Sequence, residues 1–255
     1  MPLPLKPHRA ALPDPGQRPA ASEIMRKLGE LQRCGYYVYP VDRLQVLHCD
    51  SRVMGADASL DLQINNFDVV TGGTYRSLQP GGRQVSQGPV MRGGVLETSG
   101  NRKTWHRGGV AVLQDGTIVV DRMAGGIEND IQARFGQKDN PVMQFLGGGA
   151  VLVEGGEQIA REDLHGRQEF QRLRGSGLNA PEMCMDNHLI VAIRNGMCVV
   201  TAAMGRTGHQ MVVDLARAGF STAVKFDRGS GFFLCDDEWY YKGRNPTGLG
   251  ITLAR

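Results

Sequence analysis

Apolar residues along this chain gather in short runs of strand length, and pairs of glycines separate many of them. YYVYP and RLQVLHCD (36–40 and 43–50) read as two short strands. NNFDVVTGG reads as a third, with Phe67, Val69 and Val70 leading into Gly72 and Gly73. Three later stretches pair two apolar runs about a two-residue turn. They are GVAVLQDGTIVV around Asp115-Gly116, AVLVEGGEQIA around Gly155-Gly156 and IVAIRNGMCVVTA around Asn195-Gly196. Such turn pairs accept the positive φ of a type I′ hairpin, so each predicts two adjacent antiparallel strands.

Helical spacing occurs twice. In SEIMRKLGELQRC, Ile24, Met25, Leu28 and Leu31 share a face behind Ser22 as N-cap, and Gly35 ends the pattern. In TGHQMVVDLARAGF, Met211, Val212, Leu215 and Ala216 share a face, with Arg217 in the last turn and Gly219 just beyond it. A strand (STAVKFD), a loop (RGSG) and a second strand (FFLCDD) follow, and residues 238–255 read as an irregular tail folding back onto the body. The expectation is an α+β fold of mostly antiparallel strands and hairpins with a few packed helices. It assigns residues 1–20 to a flexible Pro-rich arm and 21–255 to a single domain.

Composition sharpens this picture in one respect. Glycine accounts for 35 of 255 residues, roughly twice its average usage. It has no three-residue period, which excludes collagen and fits many tight turns. The balance of 29 basic against 26 acidic residues is too even to predict a nucleic-acid partner. The five cysteines, at 34, 49, 184, 198 and 235, form no CxxC pair and no zinc spacing, so they read as reduced thiols. No apolar run approaches membrane-spanning length, and the N-terminal stretch lacks the apolar segment of a signal peptide. The expectation is a cytoplasmic protein with no membrane partner, no metal and no cofactor, with homo-oligomerisation left open.

Several segments carry chemistry. In Phe226-Asp227-Arg228-Gly229-Ser230-Gly231 an apolar strand delivers a carboxylate into a Gly/Ser loop. There Asp227 is either an acid, base, nucleophile or hydroxyl acceptor, or the cap of an ordinary turn. Thr71-Gly72-Gly73-Thr74-Tyr75-Arg76 repeats the design, either as a glycine bend around a core tyrosine or as N–H groups cradling an anion. It matches neither a Walker A loop nor a dinucleotide fingerprint. His106 and Arg107 stand before a strand, as a proton exchanger and a phosphate partner or as structural hydrogen-bonders. The loop from Gln79 to Gly88 is a polar binding loop or a long turn, and Gln144 precedes the triple glycine at 147–149. Gly205-Arg206-Thr207-Gly208 opens the second helix, where backbone N–H groups and Arg206 offer an anion site.

The order of these segments resembles the phosphodiester glycosidase family. That family reads NGGFF after a strand and ends with a strand leading into DGGgS. The corresponding stretches are TGGTY at 71–75, GGGAVLVEGG at 147–156, VAIRNGMCVV at 191–200, GRTG at 205–208 and FDRGSG at 226–231. The resemblance spans about residues 36–236. It departs from the family pattern at Thr71, at Thr74-Tyr75 and at Arg228, which replaces a glycine.

The resemblance implies hydrolysis of the bond between a sugar's anomeric carbon and a phosphodiester, in a sugar-phosphate or nucleotide-like substrate. It makes Asp227 the leading carboxylate, with Ser230 and His106 beside it. Arg107, Arg206 and Arg228 become phosphate partners, and Gly72, Gly73, Thr74, Tyr75, Gln144 and Gly229 shape the pocket. Glu128, Asp130 and Asp186, in loop-like sequence, are open choices for a second carboxylate. Two other classes stand beside this one: a binder that sequesters such a ligand without turnover, and a structural, virion-associated protein.

Overall fold

The computed structural model describes residues 36–48, 67, 69–72, 76–78, 84–100, 107–123, 128–158, 186–194, 197–206, 208–228, 233–235, 238–241 and 247–253. The strands of the first half are β1 (Tyr36–His48), β2 (Val69–Gly72), β3 (Arg76–Leu78), β4 (Gln84–Ser86), β5 (Val90–Arg92), β6 (Val95–Thr98), β7 (Gly108–Leu113) and β8 (Ile118–Arg122). Helix α1 (Glu128–Phe135) precedes β9 (Val142–Glu154) and β10 (Glu157–Gln158). Next come β11 (Asp186–Arg194), β12 (Met197–Arg206), helix α2 (Gly208–Arg217), β13 (Thr222–Arg228), β14 (Phe233–Cys235), β15 (Glu238–Tyr241) and β16 (Thr247–Leu253). Among the described residues the fold is therefore strand-rich with two helices, and every strand pairing is antiparallel.

The main sheet follows the path β15-β14-β2-β16-β1-β12-β11-β13-β9-β5-β6, with β7, β8 and β10 attached at β9, and β3-β4 forming a separate hairpin. Two 13-residue strands bend it. Residues 36–40 of β1 pair with β12, and residues 41–48 pair with β16. The stretches that read as two strands are thus one strand that changes partner, with a register shift between Val41 and Arg43. Likewise β9 pairs through 142–149 with β7 and through 150–154 with β13.

The triple glycine marks the bend of β9. A Cβ on Gly147 would lie 2.8 Å from the Phe145 ring and 2.9 Å from Pro89, and one on Gly149 would lie 2.4 Å from Val224 Cγ1 and 2.6 Å from the Lys225 carbonyl oxygen. Backbones approach there to distances that only glycine tolerates.

The bends wrap the sheet around a core of Leu44, Val46, Val110, Leu146, Val151, Val191, Val224, Phe226, Leu249 and Ile251. Each helix covers a separate apolar cluster. Helix α2 lays Met211, Val212 and Leu215 on Leu152, Ile190 and Ala223. It ends as its sequence predicts: Gly219 N–H donates to the Ala216 carbonyl and Phe220 N–H to the Leu215 carbonyl, the paired bonds of a Schellman stop.

Helix α1 packs Ile131 and Phe135 against Met91, Ala111 and Phe145, with the Phe135 and Phe145 rings edge to face at 4.8 Å. Its Gln132 side chain accepts the Val142 N–H at 2.9 Å and donates to the Val142 carbonyl at 3.0 Å, which holds the start of β9.

The three hairpins stand where their turn residues predict them: β7–β8, β9–β10 and β11–β12. Gly155 and Gly156 both take positive φ, +62° and +83°, as a type I′ turn requires. Two expectations change. Residues 247–253 are no tail: β16 lies between β1 and β2 in the sheet. Glu128 and Asp130 lie in α1 rather than in a loop, and Asp186 begins β11. The predicted helix at 22–34 and the Pro-rich arm fall outside the described residues. No described helix is long and apolar enough to cross a membrane.

Candidate functional site

Antiparallel register brings the ends of several strands to one edge. At the end of β13, Arg228 stands opposite His188 of β11, and His188 stands opposite Ala203 of β12. Asp186 stands opposite Arg206 at the end of β12. On the other flank of β13, Lys225 pairs with Ala150, the first residue of β9 beyond its glycine bend. Gly149 in turn faces Gly108 of β7, and Arg107 immediately precedes that strand. Asp227, Arg228, Asp186, Arg206, Arg107 and the triple glycine, far apart in sequence, thus share one end of the sheet.

Two cations at this end are buried. Arg107 is 9% exposed, and its Nη1 donates to the Gly148 carbonyl at 3.3 Å. Lys225 is fully buried, and its Nζ donates to the Phe226 carbonyl at 3.3 Å. A buried charge is costly unless it is hydrogen-bonded or paired, and here each cation donates to a backbone carbonyl beside the glycine bend.

Gly72, the first of the first glycine pair, lies on a second edge, connected to the first by the chain. Gly72 ends β2 opposite Gly248, and Thr71 stands opposite Phe233, the first residue of β14. Only five residue steps separate Arg228 from Phe233, which limits the two edges to about 18 Å apart along that path. The same edge continues through Thr247 of β16, fully buried, to His48 at the end of β1.

His48 Nδ1 lies 2.6 Å from Glu97 Oε2, across the gap between β1 and the β5–β6 hairpin. Arg92 grips the other carboxylate oxygen, with Nε at 2.8 Å and Nη2 at 2.7 Å. Burial pushes the Glu97 carboxyl up, but hydrogen bonds from Arg92 and His48 outweigh it and leave Glu97 below its ordinary value, ionised as their acceptor.

Gln144 stands apart from these edges. Its Oε1 accepts the Val46 N–H at 2.8 Å, fastening β9 to β1. His106, Gly73, Thr74, Tyr75, Gly229 and Ser230 lie outside the described residues.

Three residues of this region were not singled out from sequence. Lys225 had a readable signal, a lone charge inside the apolar run TAVKF. So did His48, which falls in step with Leu44 and Val46 on the core face of β1. Glu97 had none, because its partner is 49 positions away.

No protein-family model matches the chain, and no curated protein matches it in sequence. Solved structures do resemble it. The zebrafish N-acetylglucosamine-1-phosphodiester alpha-N-acetylglucosaminidase catalytic domain, auto-inhibited by its pro-peptide, aligns over 83% of this chain and 73% of its own, with TM-score 0.58 and 17% identity. A protein of Burkholderia pseudomallei K96243 aligns over 86% and 71% of the two chains, with TM-score 0.51 and 8% identity. A hypothetical protein from Synechocystis aligns over 86% of this chain and 57% of its own, with TM-score 0.46 and 10% identity. At these identities the likeness is one of fold, a distant relationship to a glycosidase catalytic domain.

Proposed function

We propose that the protein hydrolyses the bond between the anomeric carbon of a sugar and a phosphodiester. The observation that carries this reading is the single sheet end shared by Asp227 and Arg228, by Asp186 opposite Arg206, and by the buried Arg107 and Lys225 at the β9 bend. A departing phosphodiester takes the bonding electron pair as negative charge. Fixed cations that meet this charge lower the barrier more than a strong proton donor would, because phosphate is already a good leaving group. In this reading Arg107, Arg206, Arg228 and Lys225 supply that field. Asp227 faces the positive charge that develops on the sugar ring. Gly72, Gly73, Gly229 and Ser230 shape the approach, and Thr74, Tyr75 and His106 line it.

The test is product analysis by mass spectrometry on a panel of sugar 1-phosphodiesters and nucleotide sugars, with Asp227→Asn alongside. Release of free sugar by the wild type and not by the variant supports the reading. A second reading, a binder without turnover, draws on Arg228 at a position where the resembled pattern has glycine. It predicts a ligand that co-purifies stoichiometrically with both proteins and is never cleaved.

A further inference from the structure

We infer that His188 of β11 is a further phosphate-binding residue, placed between Arg206 of β12 and Arg228 of β13 on the face of the sheet that helix α2 covers. The inference rests on the hydrolase reading above and adds to it the face on which the substrate's phosphate sits.

The residues of β11 divide between two layers. Ile190 and Ala192 belong to the cluster under α2, and Val191 and Ile193 belong to the main core. Alternation puts His188 and Asp186 on the α2 face as well. Residues directly opposite in an antiparallel pair share a face. Arg228, opposite His188, and Arg206, opposite Asp186, therefore lie on that face too.

Neither arginine would lie there in a regular ladder. Arg206 follows Ala203 by three residues on β12, and Arg228 follows Lys225 by three on β13, and an odd step changes face. Ala203 stands opposite His188, and Lys225 stands opposite Ile190. Each three-residue step faces only two on β11, because the β12 register shifts between Asp186 and His188 and the β13 register shifts between His188 and Ile190. Such bulges gather beside active sites, where they re-aim a side chain. Here the two neighbours of one strand each carry one, and each brings an arginine to the same face.

Arg206 and Arg228 are two strand spacings apart across β11, about 10 Å, and one row apart along it, about 7 Å. At these register positions one carboxylate, Asp186, stands against Arg206, Arg228 and Lys225. Like charges on one face of a sheet are destabilising, and an anion relieves them. A phosphate has the charge and the acceptor oxygens for two guanidinium groups with an imidazole between them. An imidazole keeps at least one N–H whether neutral or charged, so His188 can donate in either state.

The test uses the full chain and two probes, inorganic phosphate and N-acetylglucosamine 1-phosphate, titrated by calorimetry. His188→Phe keeps a ring and removes both nitrogens. In protein shown to be folded by its urea midpoint, it is expected to raise the Kd of both probes about tenfold or more, as loss of a hydrogen bond to a charged group does. Wild-type affinity in folded His188→Phe overturns the inference and leaves the hydrolase reading standing. Weakened affinity in the variant, with no cleavage of any sugar phosphodiester by the wild type, overturns the hydrolase reading and keeps His188 as a phosphate partner.

A second readout needs no variant. The imidazole resonances of His188 in the wild-type protein are followed by NMR as phosphate is added, and are expected to shift. Resonances that stay fixed at saturating phosphate, or a wild type that binds neither probe, overturn the inference, and turnover of a sugar phosphodiester measured separately decides the hydrolase reading.

Discussion

Arg107 donates to the Gly148 carbonyl at 3.3 Å, across 41 positions of sequence, and so ties the segment before β7 to the bend of β9. The bond is buried and charge-assisted. Arg107→Gln is expected to destabilise the fold by about 1.5–3 kcal/mol, the usual worth of a hydrogen bond to a charged group. Arg107→Lys is expected to recover little of it, because an ammonium lacks the planar fork. Urea midpoints measure both. A wild-type midpoint in Arg107→Lys would show that positive charge at the bend, and not this bond, is what matters.

Gly149 tests the bend from the other side. An alanine methyl there would meet Val224 Cγ1 at 2.4 Å and the Lys225 carbonyl at 2.6 Å, and a strand backbone cannot step aside as a flexible side-chain tip can. Gly149→Ala is expected to lose about 1–3 kcal/mol, the cost of overpacking. It should also disturb any anion site built on Lys225. Gly156→Ala would lose stability for a different reason, since its methyl would meet nothing within 4 Å but its φ of +83° disfavours alanine. A wild-type urea midpoint in Gly149→Ala would show that the close approach at Gly149 is not what fixes the bend.

Local signals explain which parts of this fold the sequence discloses. Asp115-Gly116, Gly155-Gly156 and Asn195-Gly196 each announce a hairpin, because such residues accept the positive φ that tight turns demand, as Gly116, Gly155 and Gly156 do here. The 3.6-residue spacing of Met211, Val212 and Leu215 announces α2 in the same way. By contrast α1 escapes such reading: ENDIQARF has only Ile131 and Phe135 to mark its buried face, and tertiary packing on Phe145 decides it. β16 escapes because TGLGITL carries two glycines, and Gly250 is there to admit the Phe67 ring, a contact no local pattern reveals. At the site, Asp227 and Arg228 could be found as a strand meeting a loop. The register of Arg228 against His188, and that of Asp186 against Arg206, belongs to the β11 pairings and not to any motif.

Lys225 links the bend to the proposed leaving-group site. It is a fully buried cation in a strand otherwise lined by Ala223, Val224 and Phe226. Methionine has similar length, but it removes the charge and the donor to the Phe226 carbonyl, and taking away one side of a buried charged interaction is destabilising. Lys225→Met is therefore expected to lower the urea midpoint and, in protein that remains folded, to lower turnover of a sugar phosphodiester at least about tenfold, as loss of one electrostatic partner of the leaving group does. Full turnover in a stable Lys225→Met protein would remove Lys225 from the proposed phosphate field.

Asp121 and Glu97 should tilt the pH dependence of stability in opposite directions. Burial raises the Asp121 carboxyl above its ordinary 3.8, and the Arg122 N–H and the Arg134 guanidinium only partly offset it. The bonds are short, 2.7 Å from Arg122 N and 3.2 Å from Arg134 Nε. The folded state thus holds the Asp121 proton more tightly than the unfolded chain does. Its contribution is fully present below 3.8 and is lost as pH rises through the raised value.

Glu97 is the reverse. Its burial is outweighed by the hydrogen bonds from Arg92 and His48, so its folded value lies below the ordinary 4.5, and its contribution is present above 4.5 and lost as pH falls through the lowered value. Urea midpoints taken from about pH 7 down to about pH 3 are expected to show the wild type gaining on Asp121→Asn and losing ground to Glu97→Gln as the solution becomes more acid. Equal slopes for both variants would mean that neither carboxylate titrates differently in the folded protein. A slope for Glu97→Gln that vanishes in the His48→Gln background would trace its part of the acid sensitivity to the bond that orients the imidazole.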